Sequence, residues 1–308
     1  MFFPWEEVLK TTAGKLWQGK PGGGFQGGAI DSRQVKGGEL FFPLPGEKEN
    51  GHVFIAAALR RGAAGSLVEE KWLPMLAGES FSPDKVLIVV ENSLHALHKI
   101  AAAHRSRFGL PVIAVTGSNG KTTTKDFIAA VLSTRYNVLK TEGNLNNHLG
   151  LPLMLLRLKR DHQAAVLELG MSGPGEIALL TALCRPSRGV ITNVGEAHLE
   201  FLGSKENIAQ AKGELLVGMG PGGKVFLNGD DPFLNRLGQE YAGEISYYGF
   251  KKGAALQALG YAFTDLGCTF RAVLPGGKQE EFSIPLPGKH NVYNALAAVA
   301  VGLDFSLQ

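Results

Sequence analysis

Cysteine is scarce in this chain: two residues, Cys184 and Cys268, in 308. They form no CxxC pair and have no His/Cys cluster beside them, which argues against a disulfide framework and against a zinc site and suits a reducing compartment. An excess of charge of one sign is lacking too. The net charge is only +3, so composition gives no reason to expect nucleic acid or an acidic membrane surface as a partner. Apolar runs such as Val86 to Val90 are strand-length, far short of a membrane span. The N-terminus, MFFPWEEVLK, has Glu6 and Glu7 where a secretory leader would have positive charge and a long apolar run. A soluble, cytoplasmic, monomeric protein without membrane insertion is the expectation.

What the chain does have is glycine, 41 residues, about twice the usual share. Hydrophobic residues make up 44% and charged residues 19%, enough to bury a real core, and the length favours two domains. Up to residue 107 the pattern reads as one small α/β unit. It has strand candidates at Leu40 to Leu44, Ala63 to Val68 and Val86 to Val90, and helical spacing over Val53 to Arg61 and Leu94 to Arg107. Gly19 to Gly28, with six glycines in ten residues, reads as a surface turn.

From 108 onward, strand and helix alternate. The strands are Val112 to Val115, Val138 to Lys140, Ala165 to Leu169, Gly189 to Thr192 and Lys224 to Leu227. The helices are Thr122 to Ser133, Leu151 to Leu158, Gly175 to Cys184 and Ser204 to Met219. Such alternation predicts a mostly parallel sheet with helices on both faces. After Glu244, four short strands with Gly/Pro turns predict a small antiparallel appendage, followed by a last helix from about Asn291.

The sharpest local signal is TGSNGKTTTK, Thr116 to Lys125, directly after a strand. Gly117 and Gly120 let backbone N–H groups converge on phosphate oxygens, with Ser118 and Asn119 between them. The helix starting near Lys121 points its N-terminus at the anion. Lys121 would reach the β- and γ-phosphates of ATP and the Thr122 hydroxyl would ligate Mg²⁺, with Thr123 next in the loop. One departure stands out: the general phosphate-loop pattern has a glycine where Val115 stands. The bland alternative is a tight strand-to-helix turn; the preceding strand and the apolar face of the following helix favour the nucleotide.

Other candidates are weaker alone. Glu168 ends the strand AAVLELG, where a carboxylate beside a phosphate loop can hold Mg²⁺. His198 follows the next strand, and Lys212 sits on a helix where it would ordinarily be one more surface lysine. Asn144, Asn146 and Asn147 offer amides to a peptide or sugar, although loop asparagines are usually turn formers. Asp31, Ser32 and Arg33 precede a loop carrying Lys48; Arg33 and Lys48 could counter a diphosphate, or Asp31 and Arg33 could form a plain surface salt bridge. Asn291 is also a reasonable N-cap for the last helix.

TGSNGKTTTK resembles the ATP loop of the Mur ligase family and of its relative folylpolyglutamate synthase. ELGMSGPGEI (Glu168 to Ile177), TNVGEAHLEFLGS (Thr192 to Ser204) and GNLNNHLGLP (Gly143 to Pro152) resemble the members that add D-alanyl-D-alanine. DSRQVKGGELFF resembles the family's UDP-sugar-binding domain, and GKHNVYNALAA (Gly288 to Ala298) its adenine-side motif. The resemblance covers nearly the whole chain. It implies an N-terminal UDP-sugar-peptide domain at 1–107 and an ATP-binding central domain at 108–308. It also implies a ligase that attaches D-Ala-D-Ala to UDP-N-acetylmuramoyl-tripeptide through an acyl phosphate, in peptidoglycan precursor synthesis.

By the same resemblance Glu168 binds Mg²⁺, His198 a second metal, and Lys212 becomes a metal-binding carbamate; His290 and Asn291 face the adenine, beside Asn294. Members carry a third, C-terminal domain. Only ten residues follow Ala298 here, so the chain reads as lacking it and as a poor ligase alone. Another ligase of the family, a folylpolyglutamate synthase and a non-catalytic nucleotide-binding module are the alternatives.

Overall fold

The computed structural model describes residues 3–46, 48–197 and 199–307. They form two compact units, one of residues 1–109 with 152–160, the other of 110–151 with 161–308. Among the described residues no helix is long and apolar enough to cross a membrane.

The first unit is built on a five-stranded sheet in the order Lys15–Gln18, Val86–Val90, Gly65–Glu69, Leu40–Phe41, Gly28–Ala29. Lys15–Gln18 runs antiparallel to its neighbour and the other pairs are parallel. Val86–Val90 is where the apolar run predicts it. Phe41, Ile55, Leu59, Val68 and Leu87 form a buried cluster, so the helix Ile55–Arg60 is held by its apolar face rather than by its length.

The glycine-rich turn contains more order than its composition suggests: Gly24–Phe25 pairs with Phe3–Pro4, and Gly28–Ala29 is the sheet's edge. Gly28 is closely packed: a Cβ there would press on the side-chain ends of Phe42, Leu153 and Leu156, which would have to shift. The two leucines belong to Pro152–Arg160, which explains why that segment groups with the first unit. The helix predicted over Leu151 to Leu158 spans Gly150–Leu155 only.

The second unit has a nine-stranded sheet. Its order is Gln279–Ile284, Gly267–Val273, Leu256–Thr264, Glu244–Gly249, Lys224–Asn228, Arg188–Ile191, Val112–Thr116, Ala164–Glu168, Val138–Lys140. All pairs from Val138–Lys140 through to Leu256 are parallel. The antiparallel part is therefore smaller than the turn pattern predicts. Glu244–Gly249 pairs parallel with Lys224–Asn228, and only the last three strands alternate in direction.

Ile113, Val115, Val190 and Phe226 point into a core with the helices Lys121–Ser133 and Lys289–Asp304. On the opposite face, Gly189 lies beneath Leu215 and Met219 of the helix Lys205–Met219. Strand order departs from Val112–Thr116 first to one side and then, after Glu168, to the other. Such a reversal opens a crevice at the carboxyl ends of the strands, where ligands bind in sheets of this kind.

Candidate functional site

Strand Val112–Thr116 runs into Gly117 at that reversal, and the helix Lys121–Ser133 begins four residues later. Gly117 has φ +145° and Gly120 φ +79°. Both are positions where side chains are excluded by space as well as by backbone. A Cβ on Gly117 would collide with Thr192 Oγ1, and one on Gly120 with Asn294 Oδ1. The loop is braced from the next strand end. Ser118 N–H donates to the Asn193 carbonyl at 3.0 Å, and Asn119 N–H to Asn193 Oδ1 at 3.1 Å. Thr192 Oγ1 and Asn193 Nδ2 donate to the Asn119 carbonyl at 2.6 and 2.9 Å. Ser118 Oγ accepts from Gly195 N–H at 2.8 Å. Val194 N–H in turn donates to Asp231, whose other oxygen caps the helix Pro232–Gln239.

Sequence reasoning names the loop but misses Thr192, Asn193, Gly195 and Asp231 as its scaffold. The only local hint is the polar run TNVG at a strand end. Gly117→Ala is accordingly expected to displace Thr192 and open the loop. Strain of about 1–3 kcal/mol should appear as a lower Tm, with Mg-ATP affinity in calorimetry falling more than in a variant of an exposed loop residue of similar Tm.

Lys121 Nζ donates to the carbonyls of Gly117 and Ser118 at 2.9 and 3.2 Å, curling over the loop. Burial lowers its pKa and the nearby Glu168 carboxylate partly restores it. Thr122 is exposed at the mouth, and its Oγ1 donates to Glu168 Oε2 at 2.9 Å. Glu168, 3% exposed, is the last residue of its strand. Its Oε1 accepts from Asn146 Nδ2 at 2.8 Å and its N–H donates to Thr141 Oγ1 at 2.9 Å.

Lys212 is not a surface lysine. It is 1% exposed, on the buried face of its helix with Ile208, Leu215 and Leu216. Among the described residues it makes no hydrogen bond or ion pair. Burial first, then the positive charge of Lys121, bring its pKa down to about 7, so a large fraction of the amine is neutral at physiological pH. His198 lies outside the described residues.

The remaining candidates divide. Asn146 belongs to the Glu168 cluster. Asn147 uses Oδ1 to accept from Leu149 and Gly150 N–H, the turn-forming role. Asn144 is exposed, its carbonyl accepting from Asn146 N–H. Asn291 is not an N-cap: the last helix starts at Lys289 behind Gly288. Its side chain is 7% exposed and engaged with the Pro287 carbonyl and Asn294. Asn294 accepts from Thr124 of the loop helix at 3.1 Å, so this pair fastens the two helices together, while His290 is exposed at the helix start.

In the first unit, Asp31 caps the turn Ser32–Gln34 and pairs with Arg33 through two of its oxygens at 2.8–2.9 Å. The Arg33 side chain is 86% exposed and Ser32 is buried. The Arg33 guanidinium holds the Asp31 carboxyl below its ordinary range. Lys48 is exposed.

For magnesium the donor chemistry fits. Thr122 Oγ1 and Glu168 are hard oxygen donors side by side, and Mg²⁺ is commonly held through one or two carboxylates, substrate phosphates and water. Among the described residues no three His, Cys, Asp or Glu side chains converge on one point.

Residues 115–302 match the Mur ligase middle domain, and residues 25–105 the Mur ligase family catalytic domain. UDP-N-acetylmuramoyl-tripeptide--D-alanyl-D-alanine ligase of Bacillus subtilis is 42% identical over 281 residues, 91% of this chain and 59% of the relative. The crystal structure of MurF from Acinetobacter baumannii aligns with a TM-score of 0.86 at 32% identity, over all of this chain and 66% of that one. MurF from Thermotoga maritima, solved in complex with ADP, aligns with a TM-score of 0.79 at 29% identity, over 92% of this chain and 64% of that one. The chain thus spans about three-fifths of the length of the relatives it matches.

Proposed function

The chain belongs to the Mur ligase family, and on that premise we propose that it forms the acceptor-binding and ATP-binding parts of a ligase joining D-alanyl-D-alanine to UDP-N-acetylmuramoyl-tripeptide. The observation that carries the reading is the Thr122–Glu168 hydrogen bond at the mouth of a loop that Lys121 overhangs. It sets a hydroxyl, a carboxylate and an ammonium around one point, the combination that a metal-bound polyphosphate needs. The choice of D-alanyl-D-alanine rests on the similarity to the Bacillus ligase.

In this mechanism the terminal carboxylate of the acceptor attacks the γ-phosphorus of ATP and ADP leaves. The amine of D-Ala-D-Ala then attacks the acyl phosphate, loses a proton, and expels phosphate. Two anions must meet in the first step. N–H groups of Gly120 to Thr123, at the N-terminus of the helix Lys121–Ser133, hold the phosphate oxygens, and Lys121 follows the charge onto the transferring group. Magnesium, when bound at Thr122 and Glu168, supplies further neutralisation. By family resemblance His198 would serve a second metal.

Lys212 contributes as a carbamate. Its neutral Nζ bonds to the carbon of CO₂, one C=O electron pair moves onto oxygen, and an N–H proton leaves to solvent, which turns a potential cation into an oxygen donor. Asn146 orients Glu168. Asp31 fixes Ser32 and Arg33, and Arg33 with Lys48 meets the acceptor's diphosphate. Asn144 and Asn147 border the peptide, and Asn291 holds the helix start so that His290 meets the base.

Calorimetry on this chain tests the reading. Mg-ATP is expected to bind, and UDP-N-acetylmuramoyl-tripeptide to bind more tightly than UDP-N-acetylmuramate. Absence of heat with Mg-ATP overturns the nucleotide site, and equal affinity for the two acceptors overturns the choice of substrate.

A further inference from the structure

A second lysine of the loop helix lies one turn beyond Lys121 and is unexplained by phosphate binding. Lys125 is 3% exposed. Its Nζ donates to the Thr141 carbonyl at 3.0 Å. Its ion-pair partner Asp126, at 3.3 Å, is partly exposed and shared with Lys140 at 2.7 Å. A buried ammonium is costly to keep, and a surface-facing carboxylate shared with another lysine offsets little of that. What Lys125 does secure is Thr141, which is wholly buried.

Thr141 begins the segment that holds Glu168. Its Oγ1 accepts from the Glu168 N–H, and five residues on Asn146 donates to Glu168 Oε1. Among the described residues the Glu168 carboxylate accepts from Thr122 and Asn146, and its backbone N–H donates to Thr141, so residues 141–146 meet both its side chain and its main chain. The strand before them, Val138–Lys140, is three residues long and is the sheet's edge, paired on one side only. Its continuation is tied back by the Thr141 N–H to the Val166 carbonyl at 3.1 Å and by the Gly170 N–H to the Asn146 carbonyl at 2.8 Å, and Lys125 takes the Thr141 carbonyl that points the other way from this ladder.

We propose that Lys125 is a positioning residue for magnesium: by gripping the Thr141 carbonyl it fixes the 141–146 segment, and through it the Glu168 carboxylate, at the distance from Thr122 that the ion requires. The proposal rests on the reading of Glu168 as the magnesium carboxylate. It separates two functions of one helix. Lys121 and the loop N–H groups grip phosphate without help from residues 141–146, whereas Mg²⁺ demands near-ideal octahedral geometry and tolerates little drift of its carboxylate. Lys125→Met keeps the volume and removes the donor, leaving a buried carbonyl without a partner.

The test is calorimetric titration of ADP into the 308-residue chain, with saturating Mg²⁺ and with EDTA, for wild type and variants of matched melting behaviour. In wild type, Mg²⁺ is expected to strengthen ADP binding. In Lys125→Met that gain should shrink by about tenfold, while metal-free affinity stays within about twofold. Lys125→Arg should recover most of the gain, because a guanidinium can still donate to the carbonyl. Thr141→Val removes the acceptor for the Glu168 N–H and should reproduce the loss; it decides the matter if Lys125→Met does not fold.

A magnesium gain equal to wild type in both variants overturns the proposal, and so does an equal loss with and without metal. If wild type itself gains nothing from Mg²⁺, the reading of Glu168 fails and the proposal falls with it. Intact gain in the variants sinks the proposal alone.

Discussion

Replacing Lys121 with alanine is expected to weaken Mg-ATP binding by roughly ten- to a hundredfold, the value of one or two charge-assisted hydrogen bonds to phosphate. The structure makes the loss specific. Lys121 Nζ already sits over the loop on the carbonyls of Gly117 and Ser118, so it needs only a small movement to meet the phosphates, and no other cation is bonded to that loop among the described residues. Stability should respond much less. Burial disfavours the ammonium, as its lowered pKa records, and this offsets what the two carbonyl hydrogen bonds contribute. The alanine protein is therefore expected to melt within a few degrees of wild type. Lys121→Arg should bind nearly as poorly, since a planar fork cannot follow the curl of an ammonium stem. Isothermal titration with Mg-ATP checks both variants; an unchanged dissociation constant in Lys121→Ala removes the phosphate role from this loop.

How much of this was legible in the sequence depends on how local each feature is. The phosphate loop is ten contiguous residues whose glycines, lysine and threonine each have a backbone or chemical reason, so it could be read without a fold. The parallel strands were equally visible, because strands buried on both faces are near-continuous apolar runs such as Val112 to Val115. Glu168 could be proposed from its place at a strand end. Its bonds to Thr122, 46 residues away, and to Asn146, 22 away, could not.

The brace of Thr192, Asn193, Gly195 and Asp231 was hidden for the same reason, as was Lys125 on Thr141. Each is a polar side chain whose meaning lies in a partner brought near by sheet order. Two errors were local ones. Glu244–Gly249 lies among the Gly-punctuated short strands yet pairs parallel, because the amphipathic crossover helix Pro232–Gln239, only eight residues long and absent from the sequence reading, separates it from Lys224–Asn228. Asn291 has the side chain of a cap, but the helix begins two residues earlier and buries it.

Lys212→Met is expected to make the protein more stable below pH 7 and to leave its stability near pH 10 unchanged. An unfolded lysine titrates near 10.5, and this one is lowered to about 7 in the folded chain. Between those values the unfolded chain holds a proton that the folded chain has released, so native stability rises with pH across that window. Below 7 both states are protonated and the whole penalty for burying the charge is present, at most about 5 kcal/mol. Methionine has no charge to bury, so the difference between the two proteins should be largest at pH 6 and fade as pH climbs.

Denaturant melts at pH 6, 8 and 10 in CO₂-free buffer measure it, and parallel curves for the two proteins would dismiss the buried-ammonium account. The carbamate reading adds a second observable. With ¹³C-bicarbonate, wild type should show a carbamate carbon resonance that Lys212→Met lacks. In Lys121→Ala a neighbouring positive charge is gone, so Lys212 should hold its proton to higher pH and form less carbamate at neutrality. A helix that would be steadier with an apolar residue thus keeps a lysine whose amine gives up its proton far below the ordinary lysine range. That is the pattern expected where stability is given up for a reactive group, and it makes the gain in stability and the loss of the carbamate two readings of one substitution.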